Sequence, residues 1–291
     1  MAYLSDIHGV GLGLKRELML PLQKHHGHPV LEHLQFMEIA PENWIDAGGK
    51  YAADLAWFAE RYPIACHGLC LSLGGPDPLN VGFLRQVKRF LNDFEIPLYT
   101  EHLSYCSDIA NGYIYDLLPI PFTEEAVHYV AHRIRQTQDI LERKIAVENA
   151  SFYAASPVSD MDESSFINAV LSEADCNLHL DINNAYVNSV NFGFDPYAFI
   201  DQMPAGRIVY GHIAGHLEVE ADLLVDTHGE PVIEPVWQLL DYAYRQLGVF
   251  PTLLERDTHI PPLGEVMQEV ERIYDYQQES KKSQPPWHRV A

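Results

Sequence analysis

The chain has 291 residues, 47% of them hydrophobic and 21% charged, a balance that excludes an intrinsically disordered or fibrous protein. Its 41 acidic and 19 basic residues give a net charge of −22; such a surface repels phosphate backbones, so no nucleic-acid partner is expected. Apolar runs are short and interrupted and the N-terminus, "MAYLSDIHGVGLGLKREL", lacks the basic, apolar and small-residue parts of a secretory signal. No membrane span is therefore expected, and a cytoplasmic location is.

Short β-rich runs alternate with longer amphipathic ones. The strand candidates are "GVGLGL" (9–14), "FMEIA" (36–40), "PIACHGL" (63–69), "PLYTEHL" (97–103), "KIAVENA" (144–150), "NLHLDIN" (177–183), "RIVYGHI" (207–213) and "PTLLERD" (251–257). Helical patterns lie between them, among them "LNVGFLRQVKRFLNDF" (79–94), "TEEAVHYVAHRIRQTQDILERK" (123–144) and "EPVWQLLDYAYRQLG" (234–248), with Asp, Thr or Pro near several starts. Eight alternations predict an α/β fold, a single-domain parallel (β/α)₈ TIM barrel over residues 1–276, with a doubly wound open sheet as the fallback. The first turn, "GVGLGLKREL", does not fit a dinucleotide loop, because Lys15 and Arg16 stand where the third glycine belongs. The polar stretch 277–291 reads as a flexible tail.

In such a barrel, chemistry sits where strands end and βα loops begin. Those positions carry Glu38, Glu42, His67, Glu101, His102, Glu148, Asn149, His179, Asp181, Asn183, Asn184, His212, His216, Asp226, His228, Glu255 and Asp257. A lone strand histidine is more often a hydrogen-bonded core group, and a lone strand-end carboxylate often caps the next helix. Their recurrence at one end of successive strands is different, since buried unpaired carboxylates need cations or protons to balance them. Metal binding is the economical reading. In "VYGHIAGH" (209–216) the four-residue spacing of His212 and His216 resembles a zincin helix, but the glutamate is missing and glycines flank the pair. A strand end delivering His212, with a glycine turn returning His216 to the mouth, fits better.

The donors are imidazole, carboxylate and amide, which argues against structural zinc and toward iron, manganese or a hydrolytic zinc centre. Two or three ions bridged by a carboxylate suit so many donors, with Glu148 the bridging candidate. Cys66, Cys70, Cys106 and Cys176 are expected as buried thiols. "HHGHP" (25–29) falls at the opposite end of the barrel, and His128 with His132 on an outer helix.

The ordered stretches "CHGLCLSLGG", "TEHLSY", "VENAS", "LDINNAYVNSVNFGFDP", "HIAGH", "DTHGEPV" and "LLERD" resemble the multinuclear non-haem iron-dependent oxidative enzymes, formerly domain of unknown function 692, over about residues 5–275. The resemblance implies a barrel holding two or three iron ions that uses dioxygen to modify a ribosomally made, cysteine-containing precursor peptide, commonly with a partner protein that presents it. It implies His67, His102, Glu148, Asp181, His212, Asp226, His228 and Glu255 as iron ligands. Asn184 and His216 are additional contacts, and with Glu148 they are the catalytic candidates. Phe192 departs from the family, which often has histidine there. The rival readings are a hydrolytic or isomerising metal barrel, similar to endonuclease IV or the sugar isomerases, and a non-catalytic metal carrier.

Overall fold

A computed structural model describes residues 7–108 and 112–283. In chain order the elements are β1 (Val10–Gly13), α1 (Arg16–Lys24), β2 (Leu34–Ile39), α2 (Gly49–Ala59), β3 (Ile64–Gly68), α3 (Val81–Asp93), β4 (Leu98–His102), β5 (Tyr105–Asp108) and β6 (Gly112–Leu118). There follow α4 (Glu124–Leu141), β7 (Ala146–Glu148), α5 (Glu163–Ala174), β8 (Asn177–Asp181), α6 (Ile182–Phe192), α7 (Pro196–Asp201) and β9 (Ile208–Ala214). The last are β10 (Leu217–Glu220), β11 (Leu223–Val225), α8 (Glu234–Leu247), β12 (Thr252–Glu255) and α9 (Leu263–Ser283).

Eight strands close a barrel in the order β1-β12-β9-β8-β7-β4-β3-β2, and each neighbouring pair is parallel. These are the eight runs expected from the sequence. Two antiparallel hairpins, β5–β6 and β10–β11, stand outside the barrel and were not anticipated. Each is inserted in the loop that follows a barrel strand, β4 and β9 respectively.

Local chemistry explains the helices. In α3, Leu84, Val87, Phe90 and Leu91 are buried at helical spacing, and Asn80 Oδ1 accepts from the Phe83 backbone N–H at 3.0 Å. Thr123 and Asp162 cap α4 and α5 in the same way. These apolar faces join the outer sides of the strands in one large core, and each fully buried aliphatic side chain contributes roughly 1.5–3 kcal/mol. A smaller cluster, Ile7, Phe36, Ala65, Leu98, Tyr210 and Leu253, draws five of its members from five barrel strands and fills the barrel's interior. Gly11 makes room for it: a Cβ there would lie 2.4 Å from the Phe36 ring.

The polar stretch from residue 277, expected to be flexible, is helical as far as Ser283. Gln277 is buried, and its amide nitrogen lies 3.0 Å from Gly9 O, 3.2 Å from Phe250 O and 3.3 Å from Tyr244 Oη. Tertiary hydrogen bonding here overrides a polar composition. Residues 284–291 of that stretch lie outside the described residues. Of the cysteines, Cys66, Cys106 and Cys176 are buried as expected, whereas Cys70 is exposed. Among the described residues, no helix is long and apolar enough to cross a membrane.

Candidate metal centre

Strand register sets the site. It pairs His102 with Glu148 and Glu148 with His179 across β4, β7 and β8, and Asp181 with His212 across β8 and β9. Glu255 ends β12, and His67 and Glu38 each lie one residue from the end of their strands, β3 and β2. Seven strands thus deliver titratable groups to one mouth.

Glu148 stands at the centre, and its two oxygens face different imidazoles. Oε2 is 2.9 Å from His67 Nε2 and 3.2 Å from His102 Nε2. Oε1 is 3.3 Å from His212 Nδ1 and 3.7 Å from His179 Nε2. His212 Nδ1 also lies 3.0 Å from Glu255 Oε2 and 3.8 Å from Asp181 Oδ2. Asp181 divides its labour: Oδ1 caps α6 by accepting from Asn184 N at 2.6 Å, leaving Oδ2 for the cavity.

A third corner forms on the loop after β11. His228 Nε2 is 2.6 Å from Asp226 Oδ1, while its Nδ1 is 3.4 Å from Glu255 Oε2 and 3.5 Å from Asp257 Oδ2. Asp257 is further paired with Lys15, one of the two residues that break the glycine pattern of the first turn. His228 holds a left-handed φ of 50°, a strained conformation that non-glycine residues keep where their surroundings fix them.

The glycines of "GHIAGH" now have a cause. A Cβ on Gly211 would lie 2.4 Å from Leu180 O, and one on Gly215 only 1.9 Å from Glu230 O. Any side chain at 215 would push away the returning segment that follows His228. His216 is buried, and its Nδ1 meets Asn183 Oδ1 at 2.7 Å. Asn183 Nδ2 in turn donates to Asp226 Oδ1 at 2.7 Å, so His216 reaches the cluster through an amide. Asn184 donates through Nδ2 to Asn149 O at 3.0 Å, and its Oδ1 is buried without a partner.

Among the described residues, three groups of donors are close enough to hold an ion: His67, Glu148, His179 and His212; Glu38, His212 and Glu255; and His228, Glu255 and Asp257. None includes a cysteine. Glu38, His179 and Asp257 stand at strand ends in the sequence reading but are absent from the ligand set that the family resemblance implies; the structure places them in these groups. Buried polar atoms without hydrogen bonds gather here too: Glu148 Oε2, Asp181 Oδ2, Asn184 Oδ1, His212 Nδ1, His228 Nε2 and both nitrogens of His179. Leaving such atoms bare costs about 1–3 kcal/mol each, more when charged, so their convergence fits cation ligation. The far nitrogens of two histidines are already engaged. His102 Nδ1 donates to Gly68 O at 3.0 Å, and His67 Nδ1 meets Thr100 Oγ1 at 2.7 Å. Such anchoring turns the Nε2 lone pair toward an ion.

Electrostatics show how the cluster balances itself with protons alone. Burial opposes ionisation of Glu148, but His179, His67 and His102 outweigh it and hold the carboxyl well below the usual range. Burial likewise opposes charge on His212 and His228. Glu38 and Glu255 override it at the first, Asp226 and Glu255 at the second, and both imidazoles are held well above their ordinary value. Burial, with Glu148 beside it, pushes Asp181 well above the carboxylate range. A bound cation would take over the role of those protons.

Other histidines stand apart. His128 is exposed on α4 and pairs with Glu173 at 2.7 Å, and His25, His26 and His28 lie in the exposed loop before β2. Phe192 ends α6, and its ring packs tilted against Phe152 with centroids 4.5 Å apart, with no place in the donor groups.

A closed (β/α)₈ barrel with imidazoles and carboxylates converging on its C-terminal mouth defines a TIM-barrel protein with a candidate multinuclear metal centre. Similar folds are an L-ribulose 3-epimerase (TM-score 0.62, 13% identity, 95% of this chain and 96% of that one) and a xylose isomerase domain protein from Alicyclobacillus acidocaldarius (TM-score 0.58, 15% identity, 93% and 99%). At such identities the likeness concerns the fold. Residues 9–278 match the family pattern described as RiPP precursor modification enzyme MbnB/TglH/ChrH, and the chain belongs to that family. It is similar to a UPF0276 protein of Nitrosospira multiformis, 61% identical over 264 residues covering 91% of each chain, and to one of Pseudomonas aeruginosa, 50% identical over 278 residues covering 96% of this chain and 95% of that one.

Proposed function

We propose that this protein is an iron- and dioxygen-dependent enzyme that oxidises a ribosomally synthesised precursor peptide at cysteine, with two or three ions at the barrel mouth. The carrying observation is the surplus of buried, unpartnered nitrogen and oxygen donors around Glu148 in a chain of the RiPP-modifying family. His67, His102, Glu148, Asp181, His212, Asp226, His228 and Glu255 would hold the ions, with Asn184 Oδ1 a further donor. When bound, iron supplies the redox chemistry that none of these side chains can perform. The chain's own work is to fix the donors in place and keep water from the reacting atoms. Burial of His212, Asp181 and His179, none exposed to solvent, supplies a low-dielectric floor. The opening lies on the side of His102 and His228, the more exposed imidazoles, and there a peptide thiol presented by a partner protein would enter. His216, hydrogen-bonded through Asn183 to Asp226, would steady that carboxylate at the edge of this entrance.

Metal analysis of protein purified without oxygen, followed by incubation with dioxygen and a cysteine-bearing peptide encoded beside the gene, tests the reading. Stoichiometric iron and a mass change confined to the peptide's cysteine region are expected. Tightly held zinc or manganese with no oxygen-dependent product would refute it in favour of a hydrolytic, isomerising or carrier role.

A further inference from the structure

Beneath the donors a second layer of hydrogen bonds joins residues that the family resemblance assigns no role. Glu38 Oε2 accepts from Tyr210 Oη and lies 2.9 Å from His212 Nε2. Tyr210 is fully buried, and its ring stacks on His179 with centroids 4.1 Å apart. Its hydroxyl also lies 3.5 Å from Thr100 Oγ1, the group that meets His67 Nδ1.

Two readings of Glu38 compete. Its carboxylate could join His212 and Glu255 as a cation ligand. Alternatively it orients His212 from behind. The hydrogen-bond arithmetic favours the second. A carboxylate oxygen only accepts, so His212 facing it at 2.9 Å presents an Nε2–H. The ring's other nitrogen, Nδ1, is then the one left to offer its lone pair when an ion binds. That atom is buried with no hydrogen bond and lies closest to Glu255 Oε2 and Glu148 Oε1. The same Glu38 oxygen already receives the tyrosine hydroxyl, so the atom nearest His212 is engaged by two donors and poorly placed to take an ion.

We infer that Glu38, held by Tyr210, is a positioning residue that fixes His212 as its Nε2–H tautomer and thereby makes Nδ1 the ligating atom. This is a carboxylate–histidine–metal relay of the kind that tunes ligand orientation and basicity. Tyr210 also supports His179 by stacking, so one side chain braces two neighbouring imidazoles. The inference rests on the metal-centre reading proposed above.

The direct test is nitrogen-15 NMR on full-length, histidine-labelled protein stripped of metal and reloaded with zinc(II) as a diamagnetic probe. For His212, assigned by its absence in His212→Gln, the spectrum should show a protonated Nε2 and a zinc-bound Nδ1. Glu38→Gln and Tyr210→Phe should keep the number of zinc ions bound while weakening one site by about 10–100-fold. A protonated Nδ1 with zinc on Nε2 overturns the inference while leaving the metal centre intact. So does loss of one whole zinc equivalent in Glu38→Gln with Tyr210→Phe unaffected, because that pattern marks Glu38 as a ligand. Failure of the unmodified protein to bind zinc, and equally iron(II), overturns the metal-centre reading itself and this inference with it. The tautomer is read on the unmodified chain, so the test does not depend on the variants folding.

Discussion

Glu163, at the start of α5, is a buried carboxylate hydrogen-bonded by Asn188. Asn188 Nδ2 reaches its two oxygens at 3.2 and 3.3 Å, and burial pushes its carboxyl up from 4.5 to about 8. The folded protein therefore holds a proton there that the unfolded chain releases above the ordinary carboxylate value. The contribution to stability is complete below the unfolded value near 4.5 and is lost as pH climbs through about 8. At about 1.36 kcal/mol per pH unit the ceiling is about 5 kcal/mol. Glu163→Gln keeps the shape and an acceptor for Asn188 but carries no charge at any pH. Near pH 5 the variant should match the parent within about 1 kcal/mol, and by about pH 8 it should be more stable by several kcal/mol. Urea unfolding of metal-free protein across that range reads the difference, which should appear in midpoint and not in slope. Parallel pH profiles for parent and variant would show that Glu163 is ionised in the folded state, and the desolvation argument would fail. The outcome bears on the site, because Asn188 also binds Ala150 O and Phe152 N and so staples the loop that carries Asn149 and Ser151.

Other outcomes follow from the same geometry. Glu148→Gln replaces one of two acceptor oxygens by a donor where both face imidazoles, and elemental analysis should find at least one ion fewer; an undiminished metal content would remove Glu148 from its bridging role. Ion binding must displace protons from imidazoles such as His102, which burial draws down but Glu148 and Glu101 push up to about 9. Affinity should accordingly rise with pH through that value and calorimetry should detect proton release, whereas a flat profile would mean the imidazoles are already neutral. Gly215→Ala sets a methyl against Glu230 O and should cost about 1–3 kcal/mol while weakening the ion held through His228 by tenfold or more; unchanged binding would show that the returning segment can shift freely.

The barrel was legible because each strand reads as a β-rich run, and the site because polar residues recur where those runs stop. Nothing in the spacing of His179 and Asp181 says which of them reaches an ion: both share a strand face, and the stagger between neighbouring strands decides their depth. Glu38 illustrates the same gap, since its meeting with His212 spans 174 positions and depends on barrel closure. The hairpins escaped notice because four- and three-residue strands such as Leu217–Glu220 and Leu223–Val225 leave too little pattern to separate them from a loop. Asp226 and His228 were legible from their residue types in the loop after the seventh strand and from the motif "DTHGEPV". The reason they can approach β9 is Gly215, whose role is steric and visible only in three dimensions. The end of α9 was misjudged because polar composition was weighed without knowing that backbone carbonyls waited below the barrel.

That last helix has a practical side. The amide of Gln277 reaches carbonyls at the start of β1 and just before β12, where the cylinder's first and last staves meet. Shortening the polypeptide to residue 276 would strip the seam of its clasp, and a deletion series should lose cooperative melting there, not at the apolar residues upstream.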